Sequence, residues 1–509
     1  MIDTKALKQK ILDLAIRGKL VPQDPADEPV SILLDRIRAE KQKSGKGKNQ
    51  PDSVIFRGDD NSYYEKIGNE IAQIDNEVDF EAPSKWEFAR LNTLCSILGG
   101  KTPSTEQNEY WGEEILWVTS KDMQSKYIDN SILKLSNLGA AQLNLFPANT
   151  LLIVVRSGIL RHTIPLAILT KNATINQDLK ALHFYSDSTL VEWIYLWLKA
   201  NNDYFLTKYV KGGTTVESIK FDSFQNMIIP LPSISEQQRV INTVNYLFAL
   251  IDSIEAQQTD VQSITDDIQK RVLDLAIRGK LVQQDPADEP ASALLKRIRA
   301  EKEALVKADK IRRDKADSYI YKGDDNSYYQ GNKNIDDLLP FDIPDSWAWC
   351  RLGFLVDFSK NFSISSSEIA SSDWILDLED IEKDTGTLLC KKRMKDTLSK
   401  SDKHVFYKGN VLYSKLRPYL NKVIIADENG YCTTEILALD FGQINSEYAQ
   451  LFLMSSYFVE YAMRDAYGVK MPRIGSEQGN AAFMPIPPIK EQARIVEAVN
   501  LAKEMLNSF

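Results

Sequence analysis

Apolar positions between Val240 and Leu275 recur at steps of three and four: Val240, Val244, Leu247, Ile251 and Ile254, then Val261, Ile264, Ile268, Val272 and Leu275. This heptad seam predicts a long helix that wants a partner helix rather than a globular face. From Glu236 to Ile277 the rod would be about 63 Å long at ~1.5 Å per residue. Pro232 ends the preceding strand, and Ser235 with Gln238 reads as a capping box. Gly279 marks the stop, and a Pro-rich elbow, Asp285-Pro286-Ala287-Asp288-Glu289-Pro290, follows. Gln258 interrupts the seam where a register-setting polar contact is expected.

The chain repeats itself. Residues 12–41 recur at 273–302 with 26 of 30 positions identical, and Gly58-Asp59-Asp60-Asn61-Ser62-Tyr63-Tyr64 returns intact from Gly323 to Tyr329. Trp86, Arg90 and Leu91 correspond to Trp347, Arg351 and Leu352. The segment from Ile489 repeats the segment from Ile234, so the C-terminal and N-terminal helices laid end to end rebuild the central rod. Internal duplication of this kind sets the whole organisation. The expected order is a helical region 1–45, a framework segment 46–85, a block 86–232, a central helical region 233–310, a second framework segment 311–346, a block 347–487 and a closing helix 488–509. The expected class is α+β: two β-rich mixed α/β blocks separated by an intramolecular antiparallel coiled coil of long helices, in a pseudo-two-fold repeat.

The two blocks resemble each other only in outline. Each has a Trp-led strand (from Trp117 and Trp374), a β-rich centre (151–158 and 411–418) and a carboxylate-led strand (from Asp178 and Glu435). Each ends in helices and a Pro-rich strand, Ile229-Pro230-Leu231-Pro232 or Met484-Pro485-Ile486-Pro487. Trp193, Trp197, Phe452 and Phe458 fall at helical spacings and are expected in the core, as are the framework residues Trp86 and Trp347.

The length implies several domains. There is no run of 18 apolar residues and no signal-peptide start, so a cytoplasmic chain is expected, with no membrane partner. Cys95, Cys350, Cys390 and Cys432 form no CxxC pair and are expected as buried apolar residues. The net charge is -9, which argues against nucleic acid until its distribution is considered. Most of it lies outside the two blocks, which are close to balanced and free to carry basic patches.

No catalytic constellation emerges. A phosphate-cradling Gly-rich loop is missing: Gly99-Gly100-Lys101-Thr102 has Cys95 where the first glycine should stand. His162, His183 and His404 have no metal or triad spacing, and no base-holding methyltransferase motif or nuclease acidic pair is evident. No cofactor or metal is expected in this chain.

The chemistry-bearing residues are cations and hydroxyls at strand ends. In the first block they are Lys121, Arg156, Arg161, Lys211 and Thr214, with Lys208 and Thr215 nearby. In the second they are Lys391, Lys392, Arg393, Lys415, Arg417, Lys470 and Arg473, with Lys395 and interleaved Tyr413, Tyr419 and Tyr467. Arg and Lys bond guanine edges or neutralise phosphates. Taken singly, such clusters are ordinary solvated surface. Two divergent sets on a nearly identical frame are what point to recognition of duplex DNA. The rival class is a coiled-coil adaptor that binds proteins or glycans without DNA.

The twin DLAIRGKLV…QDPADEP…RIRAEK segments, the Trp-led blocks, LYSKLRPYLNK at 412–422 and the Pro-x-Pro-x-x-x-Glu-Gln-x-Arg helix starts resemble the specificity subunit of type I restriction-modification systems. That resemblance implies two target recognition domains, each reading half of a bipartite asymmetric DNA sequence. It implies conserved regions that recruit two modification subunits, which bring S-adenosylmethionine and methylate adenine. A restriction subunit is a further potential partner, and one copy of this chain per complex is expected. The elbow after the central helix is the expected docking surface.

Overall fold

The seam-bearing segment is one helix, Ile234–Ile277, 44 residues long. This computed structural model describes residues 2–43, 53–213, 216–309, 319–397, 401–464, 466, 468 and 470–507. The fold is α+β, and the chain divides inside that helix into two compact units, Met1–Thr259 and Asp260–Phe509.

Ser233, not Ser235, starts the helix. The Glu236 N–H donates to Ser233 Oγ (3.0 Å), whose hydroxyl donates to Asp27 (3.0 Å), while Gln238 turns its amide to Asn242. The capping box fails because Asp27, distant in sequence, fixes the hydroxyl two residues earlier. The seam also differs from its heptad pattern. Val240, Val244 and Ile251 are buried in the first unit's core, and Leu273, Ala276 and Ile277 in the second's. Val261, Ile264 and Ile268 between them are exposed. Burial is therefore concentrated toward the two ends of the seam, where the helix packs on the globular core of each unit.

In the first unit, Asp3 caps helix Thr4–Ile16 by accepting from the Ala6 N–H (2.9 Å). Its Ile11, Leu12 and Ala15 share a core with Val240 and Val244, and with Trp193 and Trp197 of helix Ser188–Ala200. A five-stranded sheet runs in the order Cys95–Gly99, Leu179–Phe184, Leu151–Val154, Leu166–Leu169, Tyr127–Ile128. A three-stranded sheet sets Trp111–Val118 between Ala173–Ile175 and Leu133–Leu135. The block's first and last strands, Glu87–Arg90 and Ile228–Leu231, pair antiparallel. A three-stranded meander, Ser53–Arg57, Tyr63–Ile67 and Glu70–Gln73, precedes it.

The second unit repeats the frame. Its meander is Ile320–Lys322, Tyr328–Gln330 and Lys333–Asn334, and Ala348–Arg351 pairs with Phe483–Ile486. Between them lie a five-stranded sheet, centred on Gly430–Thr433, and a three-stranded sheet with Val411–Ser414 in its middle. The apolar segment at 446–463 is two helices, Ser446–Met454 and Ser456–Arg464, whose Phe452 and Phe458 are buried. Helix Ile489–Asn507 closes the unit.

One contact set recurs in both units and explains why the framework segments are near-identical. The Trp86 indole N–H donates to buried Glu236 (3.0 Å), as Trp347 does to Glu491 (3.0 Å). The Gln23 and Gln284 amides donate to the same two carboxylates, and Arg239 and Arg494 pair with Asp27 and Asp288. Gly18 (φ +64°) and Gly279 (φ +67°) turn the chain beneath, and a Cβ on either would lie 2.4 Å from Pro83 or Pro344. Helix start, elbow and block are thus locked on one carboxylate in each unit.

Burial pushes the Glu236 and Glu491 carboxyls above the ordinary range, whereas the Arg239 fork holds Asp27 below its ordinary 3.8. A depressed carboxyl stabilises the fold above the unfolded value, and that contribution disappears as pH falls through the folded one. Asp27→Asn is therefore expected to destabilise the protein by ~1 kcal/mol at pH 7, since Arg239 is a third exposed and water screens the pair. The difference should shrink below pH 3.8, which melts of both proteins across pH would read out.

Cys95, Cys350 and Cys432 are buried as expected. Cys390 is exposed, because its thiol donates to Asp380 (3.0 Å) at a sheet edge rather than entering the core.

Candidate nucleic-acid interface

In each unit a fully buried strand, Leu151–Val154 or Val411–Ser414, delivers the chain to the same crossing. The Val155 N–H donates to the Asp178 carbonyl (2.8 Å) and the Val155 carbonyl accepts from Ile219 (3.0 Å). Lys415 makes the equivalent bonds, donating to Glu435 (3.0 Å) and accepting from Ile474 (3.2 Å). Backbone geometry is shared here while the side chains differ: Val155, Arg156 and Ser157 stand where the second unit has Lys415, Leu416 and Arg417.

In the first unit Arg156 and Lys211 both sit opposite Ser218, on either side of strand Glu217–Ile219. Registered residues share a face, and at ~4.8 Å per strand their backbones are ~10 Å apart. Both side chains are exposed, two cations aimed from one small sheet. Arg161 pairs with Glu217, whose carboxyl it holds below the ordinary range, so part of its charge is neutralised locally. Lys121 is exposed in a separate turn, which Asp122 pins through the Thr119 and Ile132 N–H groups (2.8 and 2.7 Å). That turn reaches the crossing through residues 176–178: Asn176 donates to the Val118 carbonyl (3.0 Å), and Asp178 receives Val155. Lys208 is committed to Asp79 and Tyr204. Thr214 and Thr215 lie outside the described residues.

In the second unit Leu416 bridges Arg473, and the Arg417 N–H donates to the Pro472 carbonyl (2.7 Å). Arg473 forks onto Glu435 (2.8–3.1 Å), a brace across the crossing. Arg417 and Asn421 both adopt left-handed backbone, φ +51° and +49°. Such strain in non-glycine residues persists where surrounding contacts enforce it, and it clusters at functional sites. The enforcing contacts are present: Leu420 donates to the Arg417 carbonyl (2.9 Å), and the Asn421 amide donates to the Met454 carbonyl (3.0 Å). This rigid turn presents exposed Tyr419 and half-buried Arg417 beside Lys415. Lys470 is exposed.

The expected basic run Lys391, Lys392 and Arg393 is not a free patch. Lys391 lies over the Trp374 ring (4.4 Å) and bonds Asp427 (2.7 Å). Lys392 bonds Glu379 (2.7 Å) and buried Asp380 (2.6 Å), which push its pKa up, and Arg393 pairs with Glu428 (2.6 Å). Four carboxylates face three cations, so these residues stitch a sheet edge. Lys395 is exposed. Tyr413 is core rather than surface, 2% exposed in a strand covered on both faces, and Tyr467 lies outside the described residues. Ser218, the residue between Arg156 and Lys211, and Asn421, the second strained residue, escaped sequence reasoning because only strand pairing and φ reveal them.

Residues 83–263 match the model of the type I restriction modification DNA specificity domain. The chain carries a type I restriction-modification DNA specificity domain. Beyond this specificity domain, similarity runs nearly end to end. The chain is 28% identical to the EcoAI specificity subunit of Escherichia coli, over 97% of this chain and 88% of that protein. It is 25% identical to the Escherichia coli EcoEI specificity subunit over the same shares. The HsdS subunit from Thermoanaerobacter tengcongensis is a looser structural neighbour, with 14% identity, a TM-score of 0.45 and 85% of this chain and 93% of that one covered. Among the described residues no helix is long and apolar enough to cross a membrane, and no His/Cys/Asp/Glu group is placed to hold a metal ion.

Proposed function

We propose that the chain is the non-catalytic DNA-reading subunit of a type I restriction-modification complex. Residues 86–232 read one half of a bipartite asymmetric duplex target and residues 347–487 the other. The framework recruits two modification subunits, which carry S-adenosylmethionine and methylate adenine, and restriction subunits are further partners of the single chain. The long helix, paired antiparallel with the terminal helices, sets the unread gap.

The observation that carries this is the common strand crossing with unlike side chains: Arg156 and Lys211 in one unit, Lys415 and Arg417 in the other. Phosphate contacts position a protein on DNA, whereas arginines aimed into the major groove read guanine through paired hydrogen bonds. One framework with two differently armed crossings suits two different half-sites. Exchanging residues 86–232 for a related block is expected to change one half of the methylated sequence and leave the other intact, read by methylation-sensitive sequencing. A change in both halves, or in neither, would refute modular recognition. An adaptor without DNA recognition would show no salt-sensitive duplex binding in the complex with the modification subunit.

A further inference from the structure

The duplicated Gly-Asp-Asp-Asn-Ser-Tyr-Tyr motif is not used by DNA recognition as described above. It forms the first hairpin of each meander, and turn chemistry explains part of it. Asn61 and Asn326 take left-handed backbone (φ +67° and +65°), and Asp60 and Asp325 accept from the Ser62 and Ser327 N–H groups (3.1 Å each). The inner sheet faces are also accounted for, since Ile55 packs with Ile74, Phe88 and Ile228, and Ile320 with Ile335, Trp349 and Phe483.

The outer faces are not. Phe56 is paired across the strands with Tyr64, and Tyr321 with Tyr329. In both sheets the rings stack at 5.8 Å, tilted by 24° and 23°, while Phe56 is 39% and Tyr321 41% exposed. The Tyr64 and Tyr329 hydroxyls donate to Asp60 and Asp325 (2.8 Å each), which leaves an aromatic shelf edged by carboxylates. Asp59 and Asp324 are exposed in the same turns, with no side-chain hydrogen bond among the described residues. Of the eight acidic side chains in residues 53–82, Glu65 and Glu77 pair with Arg90 and Asp79 with Lys208, so five stand against Arg57 and Lys66. Of the six in residues 319–345, Asp345 pairs with Lys322, so five stand against Lys333.

We propose that these two outer faces are equivalent docking surfaces, each for the basic face of one copy of the same partner protein. An acidic surface repels DNA. Stacked, exposed aromatic rings beside carboxylates instead favour arginine and lysine, which gain cation–π contact and charge pairing together. The occurrence of one such surface per unit fits a partner present twice. The inference rests on the proposed function in taking that partner to be the modification subunit. It places docking on the meanders rather than on the elbow.

The test is uptake of the cognate modification subunit by the full chain, followed by native mass spectrometry and titration. Phe56→Thr with Asp59→Lys is expected to leave one copy bound normally and the second at least tenfold weaker. Tyr321→Thr with Asp324→Lys should do the same for the other copy, and the combined variant should lose both. Asp59→Lys and Asp324→Lys alone, which break no side-chain hydrogen bond among the described residues, should weaken uptake with unchanged melting and flatten its salt dependence. Two copies bound to the combined variant at wild-type affinity would overturn the docking assignment and leave DNA reading untouched. A wild-type chain that takes up no modification subunit would overturn the proposed function and this inference together.

Discussion

Trp347→Ala is expected to lower the unfolding free energy of the protein by about 3–5 kcal/mol, the usual cost of emptying a large buried aromatic site. The side chain is 4% exposed and packs in the core that holds Tyr448, Phe452 and Ile495. Its loss would also strip Glu491 of the indole donor, in a carboxylate whose Oε2 already lacks a partner among the described residues. Burial holds the Glu491 pKa above its ordinary 4.5, so ionising it in the folded state is costly and stability falls as pH rises past that value. Removing a donor that favours the ionised form enlarges that cost, and the variant should lose more at pH 7 than at pH 4. Trp347→Phe, which keeps most of the volume without the N–H, should fall between. Denaturant unfolding of the full chain measures all of this, and a loss below ~1 kcal/mol for Trp347→Ala would mean that the Trp347–Glu491 contact is not a keystone of the frame.

Arg417→Ala is expected to weaken duplex binding by about 1–3 kcal/mol, or roughly 5- to 150-fold, and to relax discrimination at one base pair of the second half-site. A loss that is uniform across sequences, with a shallower salt slope, would instead make Arg417 a phosphate contact. The left-handed backbone supplies a separate control. A non-glycine residue there costs about 1–2 kcal/mol, which glycine avoids. Arg417→Gly should therefore keep or raise thermal stability while losing binding, a combination that a purely structural arginine would not give.

The repeat made most of the frame legible. Near-identical segments fixed where the helices and elbows lie, and Trp86 and Trp347 stand just before strands Glu87–Arg90 and Ala348–Arg351. What sequence could not supply was partners distant along the chain. Ser233 displaced Ser235 as the cap because Asp27 reaches it from 206 residues away. The basic run at 391–393 looked free because Asp427 and Glu428 approach from a neighbouring strand end. Tyr413 looked accessible because a short apolar run does not reveal that both faces of its strand are covered. The heptad seam gave the right helix, but spacing alone could not say that Val261, Ile264 and Ile268 would be exposed.

The antiparallel pairing of Glu87–Arg90 with Ile228–Leu231, and of Ala348–Arg351 with Phe483–Ile486, makes each block a closed cassette. Paired strands lie ~5 Å apart whatever is threaded between them. Residues gained or lost in a cassette's surface loops therefore leave its paired ends in place, and added loop length costs only a few tenths of a kcal/mol per several residues. Under the proposed modular reading, these strand pairs are the joints at which a foreign block would be grafted into the frame.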